Sequence, residues 1–278
     1  MSYIPQIIFI LVAGFATWFF VKKIRQIRRN ILLGKEVDLK DRPGERWKNM
    51  LLFALGQKKM FRNPLVAVLH FFIYAGFIII NIEVLEIMLD GIFGTHRMFA
   101  GMGGMYTALI NAFEFLAITV LVSCLVFLMR RNIVKVKRLA SADLNGWHRS
   151  DANYILITEI VLMSLFLTMN AADALLQQRL NEPVTGHFFF SSFLHPLLDG
   201  FGNSALVAIE RTAWWAHIVG IFAFLCYIPY SKHLHIFLAF PNAYYTRLQP
   251  MGKMNNMPVV QNEVLYAMQP ETAPADAQ

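Results

Sequence analysis

The sequence predicts an all-α integral membrane protein built as a five-helix bundle. Hydrophobic residues make up 56% of the 278 positions and charged residues only 15%, which is too apolar for an ordinary soluble domain. Five apolar runs are each long enough to cross a bilayer, and basic residues gather in the segments between them. The predicted spans cover residues 4–21, 65–89, 107–129, 154–176 and 213–240.

The distribution of Lys and Arg predicts which ends of the spans face the cytoplasm. Of the 25 basic residues, 22 lie in the segments 22–64 and 130–153 and in the tail after Tyr230. Since basic loops stay on the cytoplasmic side, we expect an outer N-terminus and a cytoplasmic C-terminus in a bacterial inner membrane. This topology accounts for the net charge of +7, so nucleic acid is not an expected partner.

The segments outside the spans have distinct predicted roles. Segment 22–64 mixes basic and apolar residues, as a helix on a membrane surface does, and it could contact anionic lipid, dock a soluble partner, or do both. Loop 177–212 is rich in Phe and is predicted to cover the outer ends of the bundle. Residues 1–245 form the predicted membrane domain, and 246–278 form a polar, disordered tail that folds against a cytoplasmic partner.

Histidines in the second and fifth spans predict a haem site. If the fifth run is one helix, the 18 positions from His217 to His235 place both on one face about 27 Å apart, with His233 on the opposite face. His70 lies about two turns inside the cytoplasmic end of the second span, at a depth comparable with that of His235. Two such imidazoles can bind a haem iron from both faces, or His70 can simply hydrogen-bond a neighbouring helix.

Acidic residues near the outer ends of the spans are candidates for quinone binding or proton transfer, because a quinol releases two protons when it is oxidised. These candidates are Glu83, Glu86, Glu114 and Asp173. For the stripe formed by Glu83, Glu86 and Asp90, interfacial solvation or helix-to-helix hydrogen bonding is the favoured alternative. Glu114 lies deeper in its span and is harder to explain in that way.

The cysteine content predicts that any iron–sulfur cluster belongs to another chain. The two cysteines, Cys124 and Cys226, both lie inside apolar runs. They form neither a CxxC pair nor a set of four cluster ligands.

The run WWAHIVGIFAFLCYIPYSKHLHIF resembles the last membrane helix of the nitrate reductase gamma-subunit family of membrane cytochromes b. Five spans, a histidine in the cytoplasmic half of the second and two histidines 18 positions apart in the fifth extend the resemblance over most of the chain. Within that family the chain looks closest to the membrane parts of heterodisulfide reductase-type and electron-transferring-flavoprotein:menaquinone oxidoreductases.

This resemblance implies a b-type haem held by His70 and His235. It also implies electron transport between the menaquinone pool and a cytoplasmic iron–sulfur protein with CCG motifs, fed by an electron-transferring flavoprotein. In the family a second haem pairs the counterpart of His217 with a histidine about ten residues after that of His70, where this sequence has Ile80. One haem is therefore expected and a second stays open. Weaker partners for His217 are the outer-loop residues His96, His187 and His195.

The expected role is that of the membrane subunit of a quinone-linked respiratory oxidoreductase, which is not catalytic alone. The alternatives are a haem-free membrane anchor or transporter-like protein that recruits a soluble partner, and a cytochrome b of the formate-dehydrogenase or hydrogenase kind. A transporter would favour inverted repeats or broken helices in corresponding halves, and neither is visible in the sequence.

Overall fold

The five apolar runs form five long helices in a computed structural model, which describes residues 3–35, 37–58, 60–136, 146–181, 186–250, 252–254 and 256–274. In this described part, regular structure is helical throughout. The helices are α1 (Ile4–Ile31), α2 (Pro43–Met50), α3 (Pro64–Phe93), α4 (Gly104–Asn132), α5 (Trp147–Leu180), α6 (His195–Leu198), α7 (Asn203–Tyr227), α8 (His235–Tyr244) and α9 (Pro258–Met268). Helices α1, α3, α4, α5 and α7 have the length and apolar composition of membrane spans.

Local sequence signals explain where the long helices begin and end. The Asn63 side chain accepts a hydrogen bond from the backbone N–H of Val66, and Pro64 occupies the first turn of α3, where its missing N–H costs nothing. Gly94 ends the same helix with φ +69°, a conformation that glycine adopts without strain. Helix α3 therefore exceeds its predicted span of 65–89 by a few residues at its C-terminal end.

The five long helices pack as a closed bundle. Contacts join α3 to α4, α4 to α5, and α5 to α7, while α1 packs against both α3 and α7. The core holds large apolar side chains from several helices, among them Phe9, Ile110, Phe166 and Ile218. At Gly91 the chain of α3 lies directly on the Phe9 ring, because a Cβ there would stand 2.5 Å from a ring carbon.

The predicted fifth span, 213–240, is wrong as a continuous helix. Helix α7 begins earlier, at Asn203, and ends at Tyr227; a turn over Ile228–Tyr230 and an extended Ser231 separate it from α8. Pro229 lies at this break, where its lack of an N–H and its ring oppose a continuing helix. The predicted angular relation between His217 and His235 is therefore also wrong, because it required one unbroken helix.

One end of the bundle, here called the basic end, carries the C-termini of α1, α4 and α7 and most of the basic residues. Helix α2 packs on α8 there. The buried Arg46 guanidinium donates hydrogen bonds to the carbonyls of Tyr244 and Thr246, each at 3.1 Å, and so caps the C-terminal end of α8. The assignment of this end to the cytoplasm stays a prediction.

The tail from residue 246 contains α9, although the sequence predicted no fixed structure there. The side chains of α9 are exposed, apart from a half-buried Tyr266. The division of the chain at residue 245 and the docking role of the tail both stay predictions, and positions 251, 255 and 275–278 lie outside the described residues.

Candidate functional site

Three histidines meet at the basic end, from α3 and from the segment that follows α7. The His233 and His235 rings lie with centroids 5.8 Å apart, and His233 packs against the rings of Phe77 and Phe224 at 6.1 and 5.0 Å. Burial, together with the charge of His235, lowers the pKa of His233 to about 4. His70 adds to this lowering, so it also lies within electrostatic reach of His233. The structure thus brings together three of the four predicted histidines.

The His235 imidazole is held in one tautomer. Its Nδ1 lies 2.8 Å from the carbonyl oxygen of Lys232. Because a carbonyl oxygen can only accept, Nδ1 must carry the proton, which leaves a lone pair on Nε2. The His235 ring is exposed, so this nitrogen can coordinate a metal.

Three polar atoms close to this cluster are buried and have no hydrogen-bond partner in the part of the chain that the structure describes: His70 Nδ1, Tyr74 Oη and His233 Nε2. His70 and Tyr74 are four positions apart and share a face of α3. A buried polar group without a partner costs about 1–3 kcal/mol, and such groups are rare in proteins. Their concentration at one place indicates a site that is completed by a bound group with polar atoms.

Asp151 at the start of α5 holds the segment that carries these histidines. It is 2% exposed, and its carboxylate accepts hydrogen bonds from the Tyr227 hydroxyl at 2.5 Å and the Lys232 N–H at 2.9 Å. Lys232 therefore joins Asp151 to His235: its backbone N–H donates to the Asp151 carboxylate, and its carbonyl oxygen accepts from His235 Nδ1. Sequence reasoning missed this brace, since nothing local shows that a carboxylate beside a basic loop meets a residue 81 positions away.

His217 lies apart from the other histidines, near the middle of the bundle. It is 2% exposed, its Nδ1 lies 2.9 Å from the Leu162 carbonyl oxygen, and its ring packs on Phe166 at 6.0 Å. The position at which the family resemblance implies a second haem ligand is occupied by buried Ile80. In the described part of the chain, His217 thus joins α7 to α5 and has no recorded histidine partner.

The opposite end of the bundle holds a buried charged network centred on Arg97. Its guanidinium donates to Asp173 at 2.6 Å, to Asn170 at 2.9 Å and to the Tyr106 hydroxyl at 3.2 Å. That hydroxyl in turn donates to the Glu86 carboxylate at 3.0 Å. A lone arginine in a loop of few basic residues, beside a stripe of acids, is the signal that could have found this network.

Most of the predicted acidic site residues are structural members of this network. Glu114 accepts from the backbone N–H groups of Phe190 and Ser191, at 2.9 and 3.3 Å, and from the Ser191 hydroxyl, and so holds loop 177–212 over the bundle. Only Glu83, 2% exposed, keeps a carboxylate oxygen without a described partner. Of the alternative given for Glu83, Glu86 and Asp90, hydrogen bonding between elements agrees with the contacts of Glu86 and Asp90, whereas interfacial solvation does not, because all three side chains are buried.

No group of three or more His, Cys, Asp or Glu side chains that could hold a bare metal ion occurs among the described residues.

The fold and these two ends define a class of protein: a helical protein with five candidate membrane spans, a histidine cluster at one end and a buried charged network at the other. No family model and no solved structure matches the chain. It is similar to the "Probable iron-sulfur-binding oxidoreductase FadF" of Bacillus subtilis, with 24% identity over 254 residues, which cover 90% of this chain and 34% of that protein.

The chain is also similar to the "EtfAB:quinone oxidoreductase" of Syntrophomonas wolfei, with 25% identity over 227 residues, which cover 79% of this chain and 30% of that protein. The chain thus spans about a third of the length of these curated relatives. Together the two names point to a family related to iron–sulfur and quinone oxidoreductases.

Proposed function

We propose that this chain is a membrane cytochrome b that passes electrons between a cytoplasmic iron–sulfur oxidoreductase and the menaquinone pool. The observation that carries the proposal is the arrangement of two imidazoles at the basic end. His235 is exposed and has its Nδ1 proton held by the Lys232 carbonyl, and the buried Nδ1 of His70 has no partner among the described residues. The two relatives support a redox role, since their names include iron–sulfur binding and quinone.

The residues at the basic end fit a b-type haem. His70 and His235 would hold it, and the Lys232 carbonyl would keep the His235 proton on Nδ1. The buried, unpartnered atoms of Tyr74 and His233 would hydrogen-bond polar groups at the haem edge. When bound, the haem supplies one-electron transfer, and the protein tunes it through these imidazoles and their surroundings.

The proposal assigns proton exchange with quinone to Glu83. Among the four predicted acids it alone combines deep burial with an oxygen that has no described partner, whereas Glu86, Glu114 and Asp173 accept hydrogen bonds that hold the fold. A carboxylate in such surroundings can take up and release a proton without breaking a structural contact. One haem is expected, because His217 has no described histidine partner.

The partners follow from the proposed topology and from the relatives. With the basic end in the cytoplasm of a bacterial inner membrane, an iron–sulfur protein with CCG motifs would face the histidine cluster. An electron-transferring flavoprotein would supply or receive its electrons. Helix α9 and the surrounding tail would add contacts to this partner.

The test is haem content per chain on purified protein, with a dithionite-reduced minus oxidised spectrum. We expect about one b haem, lost in His70→Ala and in His235→Ala. His148→Ala is the matched control, because His148 is an exposed imidazole at the same end of the bundle. A folded wild-type protein without haem, or either ligand variant with unchanged haem, would contradict the proposal.

A further inference from the structure

A long groove runs along the outer face of α1, away from the histidine cluster and the Arg97 network. It has a volume of about 740 Å³ and extends from Ile10 to Arg25, with Ile92 of α3 beside it. Ala13 and Gly14 form part of its lining, and a Cβ on Gly14 would meet nothing within 4 Å. The small residues therefore leave space that the rest of this chain does not fill.

Two cations close the groove at the basic end. Lys22 and Arg25 are three positions apart, so they project from the same side of α1 with Cβ atoms about 5–6 Å apart. The Lys22 ammonium lies 4.9 Å from the centre of the Trp18 ring, which also lines the groove. Among the described residues, neither Lys22 nor Arg25 has a carboxylate within 4 Å. Lys23 lies outside the groove, where its ammonium contacts the Gln26 side chain and the Tyr230 ring.

The dimensions of the groove match one leaflet of a bilayer. The 15 steps from Ile10 to Arg25 correspond to about 22 Å of helix. Half of the hydrocarbon core is about 15 Å thick, so the apolar part matches an acyl chain and the cationic part reaches the headgroup region. The charge at this end selects the ligand, because the two cations favour a headgroup with net negative charge over a zwitterionic one, whose own cation offsets its phosphate.

We propose that this groove is a binding site for one anionic phospholipid of the leaflet at the basic end. One acyl chain lies against Ala13 and Gly14, and the headgroup phosphate pairs with Lys22 and Arg25. The bound lipid fills the flank of α1 with matching apolar surface and neutralises two like charges that stand close together. This inference does not depend on haem or on quinone chemistry.

The experiment measures lipid affinity by native mass spectrometry of the full chain in detergent, with dioleoyl phosphatidylglycerol as the probe and dioleoyl phosphatidylcholine as the neutral comparison. The double variant Lys22→Gln/Arg25→Gln removes the cations. Each basic residue near a membrane surface contributes about fivefold to anionic lipid binding, so we expect about a 30-fold loss of phosphatidylglycerol affinity. Phosphatidylcholine binding should hardly change.

Two further variants separate a built site from general attraction. Lys40→Gln/Lys48→Gln removes the same charge from two exposed residues that do not line the groove, and it should change the affinity less than threefold. Gly14→Leu fills the groove without a clash and with a gain in helix propensity, so it should fold and lose phosphatidylglycerol.

Equal losses in the two charge variants would overturn the proposal in favour of general electrostatic attraction. Equal affinity of the wild type for the two lipids would also overturn it. A loss in Gly14→Leu alone would assign the groove to a neutral apolar chain, such as a quinone tail, and would likewise refute the phosphate site.

Discussion

Replacing Arg97 by Met tests whether the buried charged network stabilises the bundle. The change removes three hydrogen bonds, to Asp173, Asn170 and Tyr106, while the backbone N–H of residue 97 still donates to Asp90. The Arg97 and Asp173 side chains are each 7% exposed, so the carboxylate would be left buried without its cation. Breaking a buried pair in this way costs about 3–5 kcal/mol.

The remaining partners of Asp173 place the expected cost at the lower end of this range. Its carboxylate keeps a hydrogen bond from the Gln177 amide at 3.1 Å, and the His96 ring lies 3.6 Å away. We therefore expect Arg97→Met to lower the free energy of unfolding by about 3 kcal/mol. Adding Asp173→Asn removes the unpaired charge and should restore most of this loss.

The assay is reversible unfolding in mixed dodecylmaltoside and sodium dodecyl sulfate micelles, followed by tryptophan fluorescence. Arg42→Gln is the control, because Arg42 and Glu45 form a pair in which each side chain is 45% exposed, and its loss should cost less than about 1 kcal/mol. The reasoning is refuted if Arg97→Met lies within 1 kcal/mol of the control, or if the double variant with Asp173→Asn is no more stable than the single one.

Two further predictions concern the basic end. Asp151→Asn puts an amide nitrogen in place of a carboxylate oxygen that accepts from Tyr227 or Lys232. It should therefore lower the free energy of unfolding by about 1.5–3 kcal/mol and shift the midpoint potential of the proposed haem. An unchanged potential in redox titration would exclude a positioning role for Asp151. For His233, burial lowers the pKa from 6.5 to about 4. The unfolded chain therefore binds this proton more tightly than the folded chain does. The resulting contribution to the free energy of unfolding is complete above pH 6.5 and should fall by about 3 kcal/mol between there and pH 4. The free energy of unfolding of His233→Gln should depend less steeply on pH over this range. An equal pH dependence in the variant and the wild type would contradict the assignment.

The sequence by itself determined the helical class and the positions of the apolar segments, because both follow from local composition. Runs of twenty or more apolar residues can satisfy their backbone groups in a bilayer only as helices. The structure has helices over all five predicted spans, and its breaks follow signals such as Gly94 and Pro229. The pairing of His70 with His235, which rests on their predicted depth, stays a prediction.

The tertiary structure decided which polar groups meet, because these contacts join residues far apart in the chain. Arg97 and Asp173 are separated by 76 positions, and Asp151 and Lys232 by 81, so no periodicity connects them. The break after Tyr227 moved His233 beside His235, against the prediction of a continuous helix. The four acids that the sequence offered as quinone or proton-transfer candidates differ in their hydrogen bonds in the fold, because the donors around a carboxylate are fixed by packing.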